Sequence, residues 1–98
     1  MLIKVTQEHI DNGVQHKSKF CPIALAIKDT VQNNFGVSVG PEKAYIFNSS
    51  NGDIRIDMYE LPEIARDFVS SFDRKESVEP IQFQLFASLT SGEILNEN

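Results

Sequence analysis

The stretch A44-Y-I-F-N-S-S-N-G-D-I-R-I-D-M-Y59 decides the fold of this 98-residue chain. Asn51-Gly52 readily takes the positive φ angles of a tight hairpin loop, because asparagine and glycine tolerate the left-handed region best. On either side of it, "AYIF" (44–47) and "IRIDMY" (54–59) carry the β-branched and aromatic residues of strands. Alternation within the second run sets Ile54, Ile56 and Met58 inward and Arg55, Asp57 and Tyr59 outward.

Working outward, "VSV" (37–39) predicts a short strand before the turn "GPEK", and "LIKVT" (2–6) predicts one at the start of the chain. The run "IQFQLFA" (81–87) sets Ile81, Phe83 and Leu85 against Gln82, Gln84 and Phe86. Thr6 is a suitable N-cap for a short helix "QEHIDN", which Gly13 would close in the left-handed conformation. A second helix is predicted from Pro22 to Asn33, since proline suits the first helical position. Its Ile23, Ala24, Ile27, Thr30 and Val31 form one stripe, and Gly36 would terminate it. In "LPEIARDFVSSFD" (61–73), Leu61, Ile64, Ala65, Phe68 and Phe72 repeat at helical spacing. The expected fold is therefore α+β: a two-layer sandwich with a mainly antiparallel sheet of four or five strands, two main helices and one short helix. Residues 1–98 read as one domain, with 89–98 a fraying tail.

Composition narrows the function classes. Apolar residues make up 41% and charged residues 23%, as in an ordinary globular protein. The longest apolar run, Cys21 to Ile27, is far below the roughly 20 residues of a membrane span, and the N-terminus does not read as a signal peptide. One cysteine forms no internal disulfide, so the expected compartment is the reducing cytoplasm. The net charge is −5, with residues 1–41 at +1 and residues 42–98 at −6. Without a basic cluster, direct nucleic-acid binding is not expected. An acidic surface of this kind suits a solubilising role, attraction of a basic partner, or mimicry of a nucleic-acid backbone.

Few residues offer chemistry. Cys21 stands where the second helix begins, and a helix N-terminus stabilises a thiolate; His9 or His16 would be its base in a thiol enzyme or a redox-responsive protein. The alternative role is a buried cap and core filler, which unpaired cysteine commonly plays. The sequence favours that second role and no catalytic set. His9, Asp11, His16 and Cys21 match no zinc spacing, so no metal and no cofactor are expected. Single glycines at 13, 36, 40, 52 and 92 exclude a glycine-rich phosphate loop. Tyr45, Tyr59 and Phe86, rimmed by Arg55, Asp57, Gln82 and Gln84, would form an aromatic patch on the outer sheet face, of the composition found at protein contacts.

The segments V5-T-Q-E-H-I-D-N-G13 and C21-P-I-A-L-A-I27, with "LPEIARDFVSSFD" and "VEPIQFQL" after them, resemble a group of small bacteriophage- and prophage-encoded proteins. The resemblance covers most of the chain and implies an accessory protein working in a bacterial host's cytoplasm. The expected partner is a protein: a host factor, as the resemblance implies, or a second copy in a homodimer, as the aromatic patch suggests. Charge and the short apolar runs point away from direct nucleic-acid or membrane binding.

Overall fold

The computed structural model describes residues 1–31, 35–50 and 53–87. The elements run β1 (Leu2–Val5), α1 (Gln7–Asn12), α2 (Pro22–Thr30), β2 (Phe35–Val39), β3 (Lys43–Ser50), β4 (Asp53–Glu60), α3 (Glu63–Asp73), β5 (Ile81–Gln84) and β6 (Phe86–Ala87). They form two antiparallel sheets, β1-β5 and β2-β3-β4-β6. The architecture is the expected α+β.

The two sheets meet in one stretch of chain. β5 and β6 are separated only by Leu85, whose N–H donates to the Met1 carbonyl at 2.8 Å and whose carbonyl accepts from the Met1 amino group at 3.1 Å. One extended run thus pairs with β1 on its first half and with the end of β4 on its second. Helix α2 packs on both β1 and β2, the outer strands of the two sheets, and α3 packs on β5. Between them lies one core of Ile3, Val5, Ile23, Ile27, Val37, Val39, Ala44, Ile46, Phe68, Phe72, Phe83 and Leu85 with smaller neighbours. Burying an isoleucine such as Ile23 or Ile27 completely is worth about 2 kcal/mol, which is what holds α2 in place.

Several expectations are corrected. The hairpin register puts Ser50 opposite Asp53, leaving two residues, Asn51 and Gly52, to join the strands; these two lie outside the described residues. With that register, Ala44 faces Tyr59 and Ile46 faces Asp57. Ala44 and Ile46 are core residues, so Tyr59 and Asp57 lie on the core side, while Ile56 and Met58 lie on the other face. The reversal follows from apolar residues on both faces of the hairpin: alternation defines two faces but does not say which one the helices cover.

Helix α2 stops at Thr30, and Val31 turns extended with φ −88° and ψ 167°. Gly36 is not its cap but lies in β2 opposite Phe47, where an added Cβ would sit 3.4 Å from the ring. Gly13 closes α1 with φ −73° and ψ 153°, which is not left-handed. Its lack of a side chain serves packing instead, because a Cβ there would approach Pro22 Cδ and Cγ to 2.6 Å. In α3, Leu61, Ala65, Phe68 and Phe72 are buried as expected, with the last two rings stacked 6.3 Å apart. Ile64, expected in the same stripe, is 49% exposed, although its neighbours Leu61 and Ala65 are buried. The expected tail, 89–98, lies outside the described residues.

Candidate functional site

Cys21 is the N-cap of α2. Its sulfur accepts from the Ala24 N–H at 3.5 Å, Pro22 follows as the first helical residue, and the residue is only 6% exposed. Burial pushes the thiol pKa up from its ordinary value of 9.0; the Ala24 and Ile23 amides pull it back in part, and the Asp73 carboxylate adds a smaller upward push. A reactive cysteine needs the opposite shift. Because the native thiol pKa is raised, its contribution to stability is fully present below pH 9.0 and is lost as pH rises past that value. Alkylation of the native protein by iodoacetamide at neutral pH is expected to run at least about tenfold slower than in denaturant. Cys21→Ala should cost about 1–2 kcal/mol by leaving the Ala24 N–H without an acceptor, and Cys21→Ser less, since serine also caps. Urea titrations of the two variants check the order.

His9 is 8% exposed and holds two helices together. Its Nδ1 accepts from the Thr6 N–H at 3.0 Å, while Thr6 Oγ1 accepts from the His9 N–H at 3.3 Å; this is a reciprocal capping box with histidine in the usual glutamate position. On the far side, Nε2 stands 2.6 Å from Asp29 Oδ2 on α2. Since Nδ1 receives a backbone N–H, the ring proton sits on Nε2 and is donated to Asp29. Thr6 Oγ1 is 3.1 Å from Nδ1, so hydroxyl, imidazole and carboxylate stand in a chain like that of a hydrolase. The base in such a chain needs its lone pair directed at the hydroxyl. Here that lone pair is taken by the Thr6 N–H, so the arrangement works as a cap and a helix tie. Heteronuclear NMR is expected to show the Nε2–H tautomer for His9; an Nδ1–H signal would contradict this assignment.

His16 lies elsewhere, in the left-handed region at φ 59°. Its N–H donates to Asp73 Oδ1 at 3.0 Å, and its ring Nδ1 is 4.0 Å from Asp73 Oδ2. His16 and Cys21 line one cavity of about 310 Å³, with Asp73 between α3 and the loop. Among the described residues no imidazole is hydrogen-bonded to the sulfur. Nor do any three His, Cys, Asp or Glu side chains of the described residues converge as metal ligands.

The aromatic patch is divided by the register. Lys43 faces Glu60, Tyr45 faces Met58, and Phe86 faces Glu60, so Tyr45 and Phe86 share the face away from the core. Phe47, Ile56 and Met58 join them there, and Phe86 is 69% exposed. Tyr59 packs against the core instead, and Asp57 is on its side of the sheet. Arg55 follows the same register, but its side chain lies outside the described residues. Gln82 and Gln84 belong to the other sheet, opposite Lys4 and Leu2, on a mostly polar outer face. The sequence reading missed Phe47, Ile56 and Met58, although hairpin arithmetic would have found them. A two-residue loop at 51–52 pairs residues whose numbers sum to 103, so the face of Ala44 and Ile46 must carry 59 and 57.

No helix among the described residues is long and apolar enough to cross a membrane. Comparison with known proteins finds no matching family model, no matching curated protein and no matching solved structure.

Proposed function

We propose that this chain is a protein-interaction module that uses the outer face of its larger sheet, and that the partner seated there is a second copy of itself. One observation carries the reading: Tyr45, Phe47, Ile56, Met58 and Phe86 share the sheet face opposite the core residues Ala44 and Ile46, and Phe86 is 69% exposed. A sheet face of this composition gains free energy by being covered. The four strands hold five, eight, eight and two residues. At about 3.3 Å per residue and about 4.8 Å between strands, one face covers about 360 Å², and pairing two such faces buries roughly 700–1,000 Å² once side-chain relief is added. That is at or just below the lower limit for a specific contact and suits a weak, reversible dimer.

Charge favours the same partner. The chain carries −5 overall, yet among the described residues the charged pair on this face is Lys43 opposite Glu60. A second copy therefore brings no like-charge cluster against the patch, and a two-fold arrangement can set each Lys43 near the other copy's Glu60. The phage-type motifs support a setting in a bacterial host, where a host protein with a matching apolar surface would compete for the face.

Sedimentation equilibrium tests the reading. The wild-type chain is expected to dimerise between about 10 μM and 1 mM, with little loss of affinity on adding salt. Phe86→Asp, at an exposed site, is expected to shift dissociation at least tenfold, about 1.4 kcal/mol, without unfolding the chain. A wild-type chain that stays monomeric throughout that range overturns self-pairing. A contact that weakens steeply with salt would instead mark the acidic surface, as a nucleic-acid mimic requires.

A further inference from the structure

A second surface, independent of the sheet face, lies between the 16–18 loop, the turn after β2 and the outer side of α3. Two cavities of about 310 and 270 Å³ adjoin there and share His16, Pro41, Val69 and Asp73. Cys21 and Val39, both buried, close the bottom of the first. Together the two volumes fall in the range of small-ligand sites.

The rim is cationic in an acidic protein. Lys17 lines the first cavity, Arg66 and Arg74 line the second, and His16, with its side chain 73% exposed, lines both. Asp73 is the one acid lining either cavity among the described residues; the His16 N–H fixes its Oδ1 but leaves its charge, so the lining basic groups outnumber it rather than stand alone. Arg74 is neutralised by Glu76, with Nε and Nη2 donating to the two carboxylate oxygens at 3.1 and 3.0 Å. Lys17 and Arg66 are exposed and have no ion-pair partner among the described residues.

The walls are held in place. The Val39 N–H donates to the Ser18 carbonyl at 2.8 Å, which ties the loop to the edge of β2. Asp73 ties the same loop to the end of α3, and His16 keeps a left-handed backbone that a non-glycine residue adopts only when its surroundings enforce it. The result is a pair of adjoining cavities with an apolar bottom, Lys17 lining one and Arg66 the other.

We infer that these adjoining cavities bind a small organic oxyanion, an apolar body carrying a phosphate or carboxylate head. The body lies on Val39, Pro41 and Val69, and the head meets the Arg66 guanidinium and the Lys17 ammonium. A guanidinium suits such a head because its fork of N–H groups matches two oxygens at once.

Amide-resolved NMR titration tests this with four probes: phenyl phosphate, benzoate, inorganic phosphate and phenol. The expected result is a saturable shift of the His16, Lys17, Gly40 and Val69 amides with phenyl phosphate or benzoate below about 10 mM. Whichever of the two binds more tightly identifies the head group. Inorganic phosphate and phenol, each half of the ligand, are expected to bind at least about tenfold more weakly. Arg66→Gln and Lys17→Gln, both surface changes, should each weaken binding about threefold or more, and Lys4→Gln on the other sheet should not. No saturable shift, shifts mapping elsewhere, equal binding of phenol, or full binding in the Arg66→Gln/Lys17→Gln double variant would each overturn the assignment. The Phe86→Asp variant should bind the probes normally, so failure of the dimer and failure of the cavity site are read separately.

Discussion

His9→Ala is expected to lower the free energy of unfolding by about 3 kcal/mol. Three losses combine. The Thr6 N–H loses its acceptor, α1 loses its tie to Asp29, and a void opens where a nearly buried ring stood. A lost capping interaction alone typically costs about 1 kcal/mol, and a hydrogen bond to a charged group about 1.5–3 kcal/mol. Because the Asp29 side chain is 72% exposed, that contribution belongs at the lower end of its range. His9→Gln separates the parts: glutamine at this position can still accept from the Thr6 N–H, so it should recover about 1 kcal/mol of the loss. Urea unfolding of both variants measures the difference. Equal losses for alanine and glutamine would mean that the capping half of the arrangement contributes nothing.

Gly13→Ala should be nearly as damaging, at about 2–3 kcal/mol, for a reason that its backbone angles do not suggest. At φ −73° an alanine backbone is unstrained. The cost is steric, since the new methyl would stand 2.6 Å from Pro22 Cδ and Cγ and 2.9 Å from its nitrogen. Those ring atoms cannot rotate away, and Pro22 itself is fully buried at the start of α2. Relief requires moving α1 relative to α2, which strains the His9–Asp29 hydrogen bond as well. The two sites are therefore coupled: in the Gly13→Ala/His9→Ala double variant the combined loss should be less than the sum. If Gly13→Ala stabilised the protein, as glycine replacement does at relaxed positions, this packing argument would be wrong.

Local chemistry was legible where a short stretch of chain contains all its own partners. Thr6 as a cap, Pro22 at a helix start, and the Asn-Gly hairpin each follow from neighbours within a few residues. Cys21 belongs with them, because its acceptor role toward Ala24 spans three positions. The role of His9 was half legible: its bond to Thr6 is local, but Asp29 lies 20 residues away and only the packing of α1 on α2 brings it to Nε2. Gly13 shows the same division, since its neighbour Pro22 is nine positions on.

By itself, then, the sequence determined the order of helices and strands, where α1 and α2 begin, and that the strands pair antiparallel, but not how the helices end. Periodicity and turn chemistry encode those features over a few residues. Only the tertiary structure decided which face of the β3-β4 hairpin is covered, because each face carries apolar residues and alternation alone does not say which one meets the core. It also decided that Leu85 marks the change from one sheet to the other, and that His16 lines two adjoining cavities, one with Lys17 and the other with Arg66. Such features depend on where distant segments come to rest, and a pattern of period two or 3.6 carries no information about that.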